Sequence, residues 1–254
     1  MLLEGKNALV YGAGTIGGAV ARAFAAEGAA VHIANRTGGK AEELAAEIRA
    51  EGGRAVAAEV DALQEDQVEA FVEGVAAEAG SVDVSFNLIG IDDVQGIPLT
   101  EISFDDYAQP VIKAVRSTFV TARAAARRMA AGDGGAILAF GGSSNGAALP
   151  QGHAFGGLLV AFEAVETMRR QFSVELGEKG VRFVTLRTGG IPETIDADFE
   201  GGEELRESLT AMTLLGRAAE LADVGAVAAF VASDRARTMT AATVNVSAGA
   251  LLDF

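Results

Sequence analysis

Three glycines, Gly12, Gly14 and Gly17, stand in the spacing G-x-G-x-x-G within Val10-Tyr11-Gly12-Ala13-Gly14-Thr15-Ile16-Gly17. The chemistry of that spacing is the holding of a diphosphate. Gly12 permits a tight turn, Gly14 lets the backbone approach a pyrophosphate, and Gly17 lets a helix pack against a strand. The helix that opens at Thr15 and Ile16 then turns unpaired N–H groups and its positive end toward the phosphates. Spacing alone carries little, because glycine makes up 32 of 254 residues. Three fixed glycines recur by chance at roughly 0.002 per window, or about half a match per chain. Context carries more: an apolar run closes at Tyr11 and a helical pattern opens at Ile16, as the mechanism requires.

A second strand ends in Ile33-Ala34-Asn35-Arg36-Thr37. An acidic residue at this point would accept hydrogen bonds from the ribose hydroxyls of NAD and repel a 2′-phosphate. Here the position holds neutral Asn35, and Arg36 follows with a fork that matches a phosphate. The expected cofactor is therefore NADP(H) in preference to NAD(H), with Asn35, Arg36 and Thr37 at its ribose end.

The elements that must position these residues alternate along the chain. Apolar runs read as strands at 8–11, 30–34, 54–59, 82–87, 136–140, 181–186 and 243–246. Helical patterns lie between them at 16–27, 40–50, 64–79, 104–131, 154–178 and 221–232, and several stop at glycine, as at Gly28, Gly52, Gly80 and Gly180. Repeated units of this kind predict a parallel sheet with helices on both faces. The expectation is one α/β domain over 1–254, doubly wound on a seven-stranded, mostly parallel sheet. The stretch 192–215 is polar, acidic and without helical period, and reads as a lid over the substrate.

Composition narrows the functions. A formal charge of −15, from 20 Lys and Arg against 35 Asp and Glu, opposes nucleic acid and anionic membranes as partners. The absence of cysteine removes disulfides and thiolate metal sites, and two histidines leave no metal cage in prospect. The N-terminus shows no leader pattern and no apolar stretch is long enough to span a bilayer, so a cytoplasmic location is expected.

Further motifs extend the comparison beyond the glycine loop. Glu59-Val60, Asn87-Leu88-Ile89-Gly90, Thr188-Gly189-Gly190-Ile191, Leu215-Gly216-Arg217 and Asn245-Val246-Ser247-Ala248-Gly249 occur in that order. With them the chain resembles the short-chain dehydrogenase/reductase family, a Rossmann-fold family, from the first strand to the last residues. The resemblance implies that Glu59 and Val60 lie against the adenine, that Asn87, Leu88, Ile89 and Gly90 close the fourth strand beside the cofactor, and that Gly189 and Ile191 meet the carboxamide of the nicotinamide. The loop departs from the family's usual form. Tyr11 takes the place of a threonine, and the loop is one residue shorter.

The same resemblance implies a catalytic Ser, Tyr, Lys and Asn, and none of them is kept. Gly142 stands at the serine position, Phe155 at the tyrosine, Leu159 at the lysine and Ala114 at the asparagine. Hydrocarbon neither gives nor takes a proton, so the family's acid–base relay has no donor. Ser143, one residue beyond Gly142, is a weak substitute. His153, Tyr107 and Lys113 are weaker still, and Arg187 would stabilise charge rather than give a proton. Asp92 and Asp93, after the fourth strand, read as polar pocket residues or as solvated loop acids. Two functions remain. One is NADP(H)-dependent hydride transfer on an apolar small carbonyl or alcohol, with a non-standard proton donor or none. The other is a catalytically inactive nucleotide-binding or scaffold protein. The Ala-rich long helices imply, again by resemblance, a homodimer or homotetramer.

Overall fold

The computed structural model describes residues 1–141 and 154–252. Seven strands form one sheet: β1 (Asn7–Tyr11), β2 (Ala30–Asn35), β3 (Arg54–Glu59), β4 (Val84–Asn87), β5 (Gly135–Gly141), β6 (Val181–Thr188) and β7 (Ala242–Val246). Their order is β3-β2-β1-β4-β5-β6-β7. Every pairing is parallel, so the expectation of a mostly parallel sheet sharpens to a wholly parallel one. The chain winds outward from β1 in one direction and from β4 in the other. The crevice between those two strands is where such folds take their ligands.

Among the described residues, seven α-helices flank the sheet: α1 (Thr15–Ala26), α2 (Gly38–Ala50), α3 (Glu65–Ala79), α4 (Phe104–Ala131), α5 (Leu158–Leu176), α6 (Gly202–Ala211) and α7 (Leu221–Ala232). The strands read as unbroken apolar runs because both faces are buried. Along β1, Ala8 and Val10 enter a core with α1, α2 and α7, while Leu9 and Tyr11 enter a second core with α3, α4 and α5. Along β6, Val184 and Leu186 face the first core, and Val181 and Phe183 the second. Thr185 and Arg187 continue the second set, so both lie on the α5 side of the sheet. Among the described residues, no helix is long and apolar enough to cross a membrane.

Two elements differ from the sequence expectation. The segment 192–215 is not aperiodic. It holds a short 3₁₀ turn, Pro192–Thr194, and the helix α6, whose N-cap is Gly201 in the left-handed region at φ 77°. The long helix expected from residue 154 starts instead at Leu158. Gly156 has φ 51°, and a Cβ on Gly157 would stand 1.9 Å from the carbonyl oxygen of Tyr107. That contact brings the start of α5 against the first turns of α4.

Candidate functional site

The glycine loop is built where β1 meets α1. Gly12 has φ 113°, and a Cβ there would lie 2.8 Å from the carbonyl oxygen of Leu88. The N–H of Gly12 donates to Ala34 O at 2.8 Å, and that of Leu88 donates to Tyr11 O at 2.9 Å. The loop is thereby tied to the ends of β2 and β4, across the crevice between β1 and β4. Gly17 sits against the same turn, since a Cβ would stand 2.1 Å from Gly12 O. Gly14 is the opposite case. A Cβ there meets nothing within 4 Å, so its missing side chain leaves open space above the loop.

That open space passes a test for a dinucleotide. Gly14 caps α1 with no side-chain hydrogen bond, and the first turn holds no acidic residue. The leading N–H groups of α1, around the exposed Thr15 and half-buried Ile16, therefore face outward without an internal partner. Lys40, exposed in the first turn of α2, lines the same groove as Gly14 and Thr15. The sequence reading had passed over Lys40. A lone basic residue early in the helix after β2 is the only signal that could have marked it.

The turn after β2, where the sequence reading expects a ribose, is organised by Asn35. Its carboxamide accepts from Ala13 N at 3.4 Å and donates to Thr37 O at 3.0 Å, so it links the glycine loop to the turn after β2. Arg36 and Thr37 are exposed. Val60 is buried and donates its N–H to Asn35 O at 3.1 Å. Glu59 packs its carboxylate on Gly38, where a Cβ would lie 2.6 Å from Oε2. These residues thus converge on one edge of the sheet, at the C-terminal ends of β1, β2 and β3.

Asn87 is a structural joint. It is 9% exposed, accepts from Ile89 N at 3.1 Å, and donates to Ser117 Oγ at 3.1 Å and Thr118 Oγ1 at 3.3 Å. It thereby pins the turn of Leu88, Ile89 and Gly90 to α4. Gly189 and Ile191 follow β6. A Cβ on Gly189 would meet that of Ala250 at 3.0 Å, and Ile191 is buried.

Of the residues that the sequence resemblance sets at the catalytic positions, Ala114, Phe155 and Leu159 lie among the described residues. Ala114 is buried in the core on α4. Phe155 is half-buried and stands three residues before α5, while Leu159 is the second residue of that helix. The two are therefore not one turn apart on a shared helical face. Gly142, Ser143, Ser144, Asn145 and His153 lie outside the described residues. Tyr11 is fully buried and edge-on to Phe71, with ring centroids 5.8 Å apart. Burial pushes its phenol far above the ordinary range, which removes it as an acid.

Against this geometry stand the known proteins. A family model described as enoyl-(acyl carrier protein) reductase matches residues 12–250. The chain belongs to the short-chain dehydrogenase/reductase family. L-rhamnose 1-dehydrogenase (NAD(P)(+)) of Azotobacter vinelandii is 33% identical over 262 residues, covering 100% of both chains. D-threitol dehydrogenase of Mycolicibacterium smegmatis is 30% identical, covering 97% of this chain and 93% of its own length. Among solved structures, a blue fluorescent protein from a metagenomic library, in complex with NADPH, is 31% identical with a TM-score of 0.83, over 99% of this chain and 100% of that one.

Proposed function

We propose that residues 1–254 form one unit that binds NADP(H) along the ends of β1, β2 and β4 and presents it to an apolar small molecule. When bound, such a cofactor supplies hydride donation or acceptance; the chain's part is to orient it and to exclude water. The observation that carries the reading is the open, uncapped and acid-free N-terminus of α1 beneath Gly14. Neutral Asn35 with Arg36 and Lys40 nearby supports a phosphate on the ribose. The NADPH complex of the metagenomic relative supports the reduced phosphorylated cofactor. A ligand that meets the half-buried Phe155 and Leu159 meets hydrocarbon, which supports a substrate without much polar surface. Ile112 and Phe119 on α4, and Val160 and Val174 on α5, are exposed, and we read them as the face of a homodimer or homotetramer.

The test is a titration of NADPH, followed by its own fluorescence. Saturable enhancement and a blue shift are expected, with weaker effects for NADH. No response to either nucleotide overturns the reading. A second reading, a nucleotide-binding protein without turnover, is supported by the joint loss of the polar groups at Ala114, Phe155 and Leu159. It predicts the same fluorescence response and no oxidation of NADPH by any carbonyl compound.

A further inference from the structure

We propose that Asp92, held by Lys113, is the proton-exchanging group of this site. The inference rests on the cofactor reading above and deepens it.

Asp92 lies two residues beyond Gly90, on the connection from β4 to α4. That connection is seated on the segment that carries Phe155. Gly96 N donates to Ala154 O at 2.8 Å, and Val94 O lies 2.3 Å from where a Cβ of Gly156 would be. Only a residue without a side chain allows so close a seat, so the approach is fixed by backbone on both sides. The carboxylate thus belongs to a loop pressed against the replaced tyrosine position. Lys113 reaches it from α4, next in sequence to Ala114 at the replaced asparagine.

Two further observations single out this pair. Asp92 has φ 56°, and among the described residues only Ala241 and Ala248 share a positive φ without being glycine. Aspartate tolerates this region better than most side chains, and the turn it makes here sets its carboxylate beside Lys113. Asp92 alone of the three carries a titratable side chain. Lys113 is also unusual: its side chain is only 10% exposed, and its ammonium pairs with the Asp92 carboxylate. A cation so far out of water needs its partner. The Asp92 side chain itself is 66% exposed, so it is open to ligand and solvent. Neighbouring Asp93 is engaged by Gln95 Nε2 at 2.6 Å and has no such support.

The step balances as alcohol oxidation. The substrate's O–H proton passes to the Asp92 carboxylate. The O–H electron pair becomes the second bond of the carbonyl. The C–H pair leaves as hydride to an oxidised nicotinamide dinucleotide. The proton then leaves Asp92 for water. Lys113 acts as a positioning residue, keeping the carboxylate turned toward the ligand.

The experiment uses the full chain. Carbodiimide treatment of the ligand-free protein should join Asp92 to Lys113 as an amide, seen by peptide mass as the loss of one water. NADPH fluorescence is then measured, and NADP⁺-dependent oxidation of a panel of apolar secondary alcohols. Asp92→Asn keeps the side-chain shape and tolerates the left-handed backbone. It removes the charge that pairs with Lys113, so the melting temperature should fall, while NADPH affinity should not move and kcat falls about 100-fold or more. Lys113→Met should fall similarly, and Lys113→Arg should retain turnover. Failure of the cross-link, an unchanged kcat in Asp92→Asn, or a wild type that binds NADPH yet oxidises nothing in the panel each overturns the proposal. Absence of NADPH binding instead overturns the cofactor reading beneath it.

Discussion

The half of the molecule around β1, β2 and α1 differs from the half around β4, β5, β6, α4 and α5 in what performs its task. In the first half the work falls to backbone. The turn at Gly12, the contact of Gly17 with Gly12 O and the open end of α1 are properties of main chain and missing side chains. In the second half the connections are made by side chains. Ala114 is packed as core, and Asn87 still joins β4 to α4 through Ser117 and Thr118. Side chains outside those contacts can be replaced there without disturbing the supports. A backbone cradle has no such freedom, since any added Cβ at Gly12 or Gly17 strikes a carbonyl.

If the second half is held by structural polar contacts, breaking one should cost the most stability. Glu166 on α5 accepts from Arg169 Nη2 at 2.6 Å and from Thr243 Oγ1 on β7 at 2.9 Å, which ties the helix to the edge strand. The pair is largely buried, with side-chain exposures of 15% and 5%. Glu166→Ala leaves Arg169 buried without its partner and should lower unfolding free energy by about 3–5 kcal/mol, read in a urea titration. Burial by itself would raise the Glu166 carboxyl, but the Arg169 hydrogen bonds and charge and the Thr243 hydroxyl outweigh it and hold it below its ordinary value. The folded state therefore binds this proton less readily than the unfolded chain. Its stabilisation is complete above the unfolded value and is lost as pH falls through the folded one. Glu166→Gln should flatten that acid limb. A loss below 1 kcal/mol in Glu166→Ala would break the contrast between the halves.

Two glycines sharpen it. Alanine at Gly17 would set its Cβ 2.1 Å from Gly12 O, and alanine at Gly157 would set it 1.9 Å from Tyr107 O. Both clashes are with backbone, and each should destabilise by about 1–3 kcal/mol as the turn shifts. The fluorescence readout should separate them. Gly17→Ala is expected to abolish NADPH enhancement, whereas Gly157→Ala leaves it. Equal loss in both would show that the halves do not act separately.

The contrast also marks what could be read from sequence. Strands buried on both faces and glycine stops made the sheet and most helices legible, because those signals are local. The start of α5 was not. Ala154-Phe155-Gly156-Gly157 continues an apolar pattern, and only the approach of Tyr107 O and Val94 O shows why the helix cannot begin there. Helix α6 was hidden by Gly201-Gly202, which looks like a break and is in fact its cap. Its signals were Glu203 and Glu204 in the first turn and the spacing of Leu205 and Leu209, the latter packed on Gly190. The cradle glycines were legible because their spacing is the mechanism. Asp92 and Lys113 stand 21 residues apart, and nothing local joins a loop acid to a lysine on the next helix.

The smallest expected effect lies at the edge of the cradle, where side chains rather than backbone choose the ligand. Arg36 is exposed, so any pair it makes with a ribose phosphate is hydrated and screened by salt. Gly38, two residues on, has the Glu59 carboxylate packed against it, and that negative charge works against a phosphate nearby. The cationic side of this balance is Arg36 with Lys40. Arg36→Ala should therefore weaken NADPH binding by about tenfold at low salt, the scale of one charge-assisted contact. NADH, which has no 2′-phosphate, should bind as before. The difference should shrink as salt rises, because the lost term is Coulombic. An equal weakening of both nucleotides would mean that Arg36 supports the turn after β2 rather than the phosphate, and the choice of cofactor would then rest on Lys40.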